Sequence, residues 1–266
     1  MNLKLLNGAE IPAVGLGVWQ VEDGAQTEQA VSAALEAGYR LIDTAQGYGN
    51  EVSVGKAIRD SGIPREEIFL TTKFDPNRDD SFTEAQKSLE RLGTDYVDLY
   101  LVHWPQGGPT RAWAGMEKAS AAGLAKGIGV SNFSAAELAE LAKVSEVPAA
   151  VNQVYFSPFA YRRGLLDASN KVGLVTQAYS PLGTGDHLTD PVVGRIAAEL
   201  GRTPAQVLIR WGVQKGMSVI PKSTHRERIE QNFAVFDFEL DDATVAALDG
   251  LDTTGGTAEA REDKWW

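Results

Sequence analysis

The chain contains no cysteine, only three histidines, and no apolar run that approaches the length of a membrane span. Each absence removes a class of function. Without thiols there is no disulfide framework, no thiolate nucleophile and no cysteine-ligated metal. His103, His187 and His225 stand at unrelated spacings, so neither a zinc site nor a metal-dependent barrel hydrolase is expected. Basic residues are in deficit too: 25 Lys plus Arg against 36 Asp plus Glu leave a net charge of −11. That balance favours solubility and argues against general binding of nucleic acid or an anionic membrane, while leaving room for a local basic pocket. The first residues lack the long apolar core of a signal peptide, and the expected location is the cytoplasm.

What the chain does have is rhythm. Hydrophobic residues make up 43% of its 266 positions, enough for a large core, and α/β barrels reach this size as one domain. Residues 3–6 and 11–12, separated by Asn7-Gly8, read as a small hairpin. From Val14 onward, short apolar strands alternate with helical patterns. Strands are expected at 14–17, 41–43, 68–73, 97–103, 127–131, 149–153, 174–179 and 217–221. Helices are expected at 24–38, 50–60, 81–92, 111–122, 134–144, 162–172, 190–200, 204–215, 225–234 and 241–250. Ser134 with Glu137, and Thr203 with Pro204 and Gln206, mark two helix starts. Eight strand–helix units close a barrel with the helices outside, and strands buried on both faces are uniformly apolar, as these are. An open doubly wound sheet would need a third glycine after Gly15-Leu16-Gly17, and none follows.

Three strands end in chemistry-bearing residues. Leu41-Ile42 runs into Asp43, with Tyr48 five residues on; 68–72 runs into Lys73; 97–102 runs into His103. Singly, each has an ordinary reading: a turn aspartate, a rim ion pair, a packing tyrosine, a core histidine. In a parallel barrel, however, all strand carboxyl ends share one face, so these four side chains converge. A free phenol has a pKa of about 10. A neighbouring ammonium such as Lys73 favours the phenolate, Asp43 would hold that ammonium, and His103 would orient a carbonyl oxygen. The set suits protonation of an oxygen that becomes an alkoxide during carbonyl reduction.

Together with Leu99-Tyr100-Leu101-Val102-His103-Trp104-Pro105, Gly127-Ile128-Gly129-Val130-Ser131-Asn132-Phe133 and Ile220-Pro221-Lys222-Ser223, the Asp43–Tyr48 segment resembles the aldo-keto reductase family over essentially the whole length. The look is most similar to the bacterial branch containing 2,5-diketo-gluconate reductases. The resemblance implies a (β/α)8 TIM barrel with an N-terminal hairpin and a C-terminal loop tail. It implies NADPH-dependent reduction of aldehydes and ketones, with Asp43, Tyr48, Lys73 and His103 as the catalytic tetrad and no metal. By the same likeness Ser131, Asn132 and Gln153 bond the nicotinamide carboxamide, and Tyr179 stacks on its ring. Ser180 and Leu182 also belong to the cofactor site. Lys222, Ser223, Thr224 and Arg228 hold the 2′-phosphate and Asn232 the adenine, with Arg226 a further cation. A phosphate at a helix start after the last strand suits such folds.

The substrate pocket implied is Trp19, Gly47, Phe74, Asp75 and Trp104. Gly47 stands where relatives carry an aliphatic residue and Asp75 where they carry tryptophan. Asp75 has two open readings, a charge that disfavours anionic substrates or a loop cap. After Gln153 the family's acid and His-Pro are replaced by Tyr155, Ser157 and Pro158. Trp265-Trp266 ends the tail as either a cover for the site or a disordered end. The expectation is a monomeric cytoplasmic reductase of a small carbonyl substrate. A second reading is a catalytically weak, nucleotide-binding regulatory or structural member of the same fold, which NADPH consumption with an aldehyde panel would separate.

Overall fold

The computed structural model describes residues 1–261, and Trp265 and Trp266 lie outside the described residues. Strands β1 (Asn2–Lys4) and β2 (Glu10–Pro12) form an antiparallel hairpin. Eight parallel strands follow in simple sequential order: β3 (Leu16–Gly17), β4 (Leu41–Asp43), β5 (Phe69–Phe74), β6 (Val97–Val102), β7 (Ala125–Ser131), β8 (Val151–Tyr155), β9 (Val175–Tyr179) and β10 (Ser218–Ile220). A parallel bridge between Val14 and Val219 joins the last strand to the first. The outer helices are α1 (Ala25–Glu36), α2 (Glu51–Asp60), α3 (Ser81–Leu92), α4 (Trp113–Ala121), α5 (Ala135–Leu141), α6 (Arg163–Lys171), α7 (Pro191–Leu200), α8 (Pro204–Gln214), α9 (Arg226–Phe233) and α10 (Asp242–Asp249). This is a (β/α)8 barrel, as the alternation predicts. Among the described residues no helix is long and apolar enough to cross a membrane.

The period of two along each strand decides what faces inward. Leu41, Phe69, Leu99, Leu101, Val151 and Ile220 fill the barrel interior together with Leu5 and Ile11 beside the hairpin turn. The hairpin therefore packs its apolar side into the barrel end opposite the strand carboxyl ends. Two strands donate glycine to make room. A Cβ on Gly15 would sit 2.3 Å from Leu41 Cγ, and one on Gly129 would sit 2.6 Å from the Val151 carbonyl oxygen. The opposite strand faces pack with the helices in a separate, larger apolar layer.

Both capping boxes form as read, Ser134 with Glu137 before α5 and Thr203 with Gln206 before α8. Helix α5 is shorter than expected. It stops at Leu141, whose carbonyl accepts from the Ser145 amide and, at 2.7 Å, the Ser145 hydroxyl. The stretch after β9, unassigned from sequence, is a kinked 3₁₀ segment, Gly183–Thr189. The tail up to Arg261 carries no helix or strand, yet it is pinned: Ala135 donates to the Ala258 carbonyl, Gly164 to that of Gly256, and Arg162 to that of Glu259.

Glycine has opposite meanings at two positions. In α2, a Cβ on Gly55 would lie 1.9 Å from the Leu92 carbonyl oxygen at the end of α3. Helix propensity favours alanine there by about 1 kcal/mol, but backbone cannot be pushed aside cheaply and overpacking costs about 1–3 kcal/mol or more. Gly55→Ala is expected to lower the urea midpoint, whereas Gly47→Ala, with open space around its Cβ, should leave it unchanged. A Gly55→Ala protein as stable as wild type would mean that α2 and α3 are not in close backbone contact.

Candidate active site

Asp43, Lys73, His103, Ser131, Gln153 and Tyr179 all lie at or near strand carboxyl ends in the inward phase, so they meet at one mouth. Lys73 is fully buried, and its ammonium donates to Asp43 Oδ1 at 2.6 Å, to the Thr44 carbonyl at 2.9 Å and to Tyr48 Oη at 3.1 Å. Tyr48 arrives on a short 3₁₀ turn, Gln46–Tyr48, closed by Gly49 in the left-handed region at φ 72°. Gln46 pins that turn: its Nε2 donates to Ser88 Oγ and the Glu84 carbonyl, and its Oε1 accepts from the Asp75 amide. The His103 and Tyr48 rings meet edge to face at 5.6 Å.

The electrostatics separate the roles. Burial alone would lower Lys73, but Asp43 and Tyr48 more than offset it and hold the ammonium charged. Burial pushes Asp43 up against the pull of Lys73. The Tyr48 phenol is likewise raised by burial; Lys73 acts in the expected direction but is the smaller effect. Tyr48 therefore keeps its proton at neutral pH. His103 is lowered to about 3 by burial and by Lys73, so its ring is neutral and presents one N–H.

Beside this cluster, Asn132 adopts a left-handed φ of 64°. Its Nδ2 donates to the His103 carbonyl and to Ser131 Oγ, and its Oδ1 accepts from Tyr179 Oη at 2.9 Å. Ser131 Oγ donates in turn to the Gln153 carbonyl. Gln153 Nε2 is committed to Asp43 and Gln177, both at 2.7 Å, which leaves its Oε1 without a partner among the described residues. An acceptor facing the mouth beside Tyr179 suits an amide N–H₂.

A cavity of about 480 Å³ opens alongside, lined by Trp19, Ser180, Leu182, Lys222, Ser223, Thr224, Arg228 and Asn232, every one of them expected from sequence to touch cofactor or substrate. Lys222 and Arg228 make no ion pair among the described residues, which is notable in a chain of net charge −11. Asn232 is only 4% exposed yet its amide has no hydrogen-bond partner among the described residues. A buried amide aimed at a cavity calls for a ligand. Arg226 does not join them. It pairs with Glu36 at 2.7 Å and Glu230 at 2.9 Å on the outer face of α9, because α1 supplies a carboxylate there.

Two pocket expectations change. Phe74 points away from the mouth: it follows inward-facing Lys73 by one residue, is 2% exposed and packs in the layer between strands and helices. Asp75 takes up the loop cap, its Oδ1 accepting from the Asn77 amide and side chain at 3.0 Å each. Gly47 faces open space, and Trp104 stacks on His103 at 6.0 Å. Sequence reading missed Gln20 and Thr184, which line the cavity with positive φ values of 57° and 55°. No residue-type signal marks such positions when they are not glycine. It also missed Asn50, fully buried, whose Nδ2 holds the Val18 and Val21 carbonyls on either side of Trp19 and Gln20.

The model of the aldo/keto reductase family matches residues 13–253. The chain belongs to that family. It is 51% identical over 248 residues to an aldo-keto reductase of Mycolicibacterium vanbaalenii, covering 91% of this chain and 88% of that protein. It is 44% identical over 270 residues to morphine 6-dehydrogenase of Pseudomonas putida, covering 94% of this chain and 91% of the relative. The crystal structure of a Bombyx mori aldo-keto reductase in complex with NADP superposes with a TM-score of 0.88 at 35% identity, covering 95% of this chain and 92% of that one.

The neutrality of His103 has a measurable consequence. Its folded pKa of about 3 lies below the ordinary 6.5, so below pH 6.5 the unfolded chain binds a proton that the folded chain refuses. Stability should therefore fall as pH drops from 6.5 towards 3, with a slope of up to about 1.4 kcal/mol per pH unit from this group. Urea denaturation from pH 7 to 4 should show a shallower acid loss in His103→Gln than in wild type. Parallel curves would mean that the ring titrates normally.

Proposed function

We propose that this chain reduces aldehydes or ketones to alcohols with NADPH, and that Tyr48 is the proton donor. The observation that carries the reading is the 3.1 Å contact between Tyr48 Oη and a fully buried Lys73 that is itself ion-paired to Asp43. The residues present fit the cofactor. Lys222, Arg228 and the α9 amino terminus suit a 2′-phosphate, Asn232 an adenine, and Gln153, Asn132 and Tyr179 a nicotinamide. When bound, NADPH supplies the hydride that the carbonyl carbon takes up.

The chain's own groups handle the oxygen. The neutral His103 N–H fixes the carbonyl oxygen, and Tyr48 Oη gives it a proton as negative charge develops. Lys73 then stabilises the phenolate left behind, and Asp43 keeps the ammonium from wandering. The same set runs in reverse with Tyr48 as base, which is the sense in which the Pseudomonas relative is named. Compact loops beyond His103 favour the bacterial branch that contains 2,5-diketo-gluconate reductases, and a cytoplasmic monomer is the working form we propose. The substrate side, with open space at Gly47 and exposed Trp19, favours a bulky carbonyl compound.

Tyr48→Phe should lower the reduction rate about 10²–10⁴-fold while NADPH still quenches tryptophan fluorescence with a near wild-type Kd. Activity within a few-fold of wild type would remove Tyr48 from the role of acid, and wild-type protein that binds NADPH without consuming it across an aldehyde panel would favour the non-catalytic reading.

Arg228→Ala is expected to raise the NADPH Kd about tenfold or more, as charge-assisted hydrogen bonds to phosphate contribute about 1.5–3 kcal/mol. NADH affinity should move far less. Equal weakening of both cofactors in the same titration would show that Arg228 does not read the 2′-phosphate.

A further inference from the structure

The segment between β9 and α7 forms one wall of the cavity through Ser180, Leu182, Thr184, Gly185 and Leu188. Its backbone is bent far from ordinary space: φ is 47° at Ser180, 57° at Gly183, 55° at Thr184 and 111° at Gly185. Conformations of this kind persist only where surrounding contacts over-determine them. The contacts converge on His187. Its ring stacks on Phe159 at 4.0 Å with the planes 17° apart. Its Nε2 lies 3.2 Å from Tyr155 Oη on β8 and 3.2 Å from Ser157 Oγ just beyond that strand. It also lies directly on the Gly183 backbone, where any Cβ would come within 2.4 Å of Nε2.

Tyr155 and Ser157 thus tie His187 to the end of β8 and the turn after it. The β8 end it grips is close to the nicotinamide side, because the Tyr155 and Tyr179 rings are 6.1 Å apart.

We propose that His187 is a positioning residue that locks the Ser180–Leu188 wall onto β8, and that NADPH affinity depends on this lock. The inference rests on the reading of the cavity as an NADPH site. Each hydroxyl can donate to an unprotonated Nε2 or accept from a protonated one, so the two contacts tie the ring to the end of β8 in either state. Burial lowers the His187 pKa, while Asp186 and Asp190 on its own segment pull the other way. Tyr155, Ser157 and Phe159 are the groups that face it from β8 and the turn after it. The ring is therefore neutral at neutral pH, held by the two hydroxyls and the Phe159 face.

Fluorescence titration with NADPH at pH 7 should give a Kd about tenfold higher for His187→Ala than for wild type, the loss expected for a part-buried pair of hydrogen bonds. At saturating NADPH kcat should not fall, since the ring touches no reacting atom. Tyr155→Phe combined with Ser157→Ala should reproduce the loss, and adding His187→Ala to that pair should cost little more, because one interaction is removed twice. Unchanged affinity in His187→Ala or fully additive losses would each overturn the lock. If His187→Ala does not fold, the Tyr155→Phe/Ser157→Ala protein reads the same contacts from the other side. Wild-type protein that does not bind NADPH would instead overturn the cofactor reading itself, and this inference with it.

Discussion

A lysine with no exposed side-chain surface has to find its counter-charge inside the barrel, and Lys73 finds it in Asp43 at 2.6 Å. Removing either partner would strand a charge in a medium that cannot solvate it, at a cost of about 3–5 kcal/mol. The rest of the mouth is arranged around this pair. Gln153 donates to the other Asp43 oxygen and is backed by Gln177, whose amide reaches Ser218 Oγ. Tyr48 sits at the half-buried end of this chain of contacts, on Lys73. The network stabilises little by itself, since burial taxes each ion, but it fixes one geometry for the phenol.

Local strain concentrates around the same opening. Gln20, Asn132, Ser180 and Thr184 are the non-glycine residues with left-handed φ among those described. Gln20, Ser180 and Thr184 line the cavity, and Asn132 ties His103 to Tyr179. Each costs on the order of 1–3 kcal/mol and is held by neighbouring contacts. Asn50 grips the loop carrying Gln20, and His187 grips the segment carrying Thr184. Arg261 donates to the Asn132 carbonyl while paired to Glu137 at 2.7 Å, so the described end of the tail reaches the site through the Arg261 side chain.

The net charge of the chain and the charge of its cavity run in opposite directions. Acidic surface residues are mostly spent on helix starts and exposed pairs, such as Asp80 and Asp190 at the caps of α3 and α7. Among the described residues, Lys222 and Arg228 make no ion pair where the barrel opens. Arg226 lies two residues from Arg228, yet helical geometry turns it to α1 and Glu36.

The sequence by itself determined the barrel, because buried parallel strands alternating with capped amphipathic helices have few other ways to hide their apolar faces. It also determined the acid, phenol, amine and imidazole, because strand ends in such a fold share a face and the residues adjoin recognisable strands. The cavity-lining set Ser180, Leu182, Lys222–Thr224, Arg228 and Asn232 was legible for the same reason, through a family likeness attached to strand ends. Only the tertiary structure decided the rest. Phe74 and Lys73 are neighbours in sequence, but the pleat sends one to the helices and the other to the mouth. Asp75 was chemically free to face a substrate, and a competing bond to Asn77 two residues away took it. The net pKa of Tyr48 depends on how much water reaches its oxygen, which no residue spacing encodes. The grip of His187 on Tyr155 and Ser157 joins positions about thirty residues apart through a backbone bend that only folding imposes.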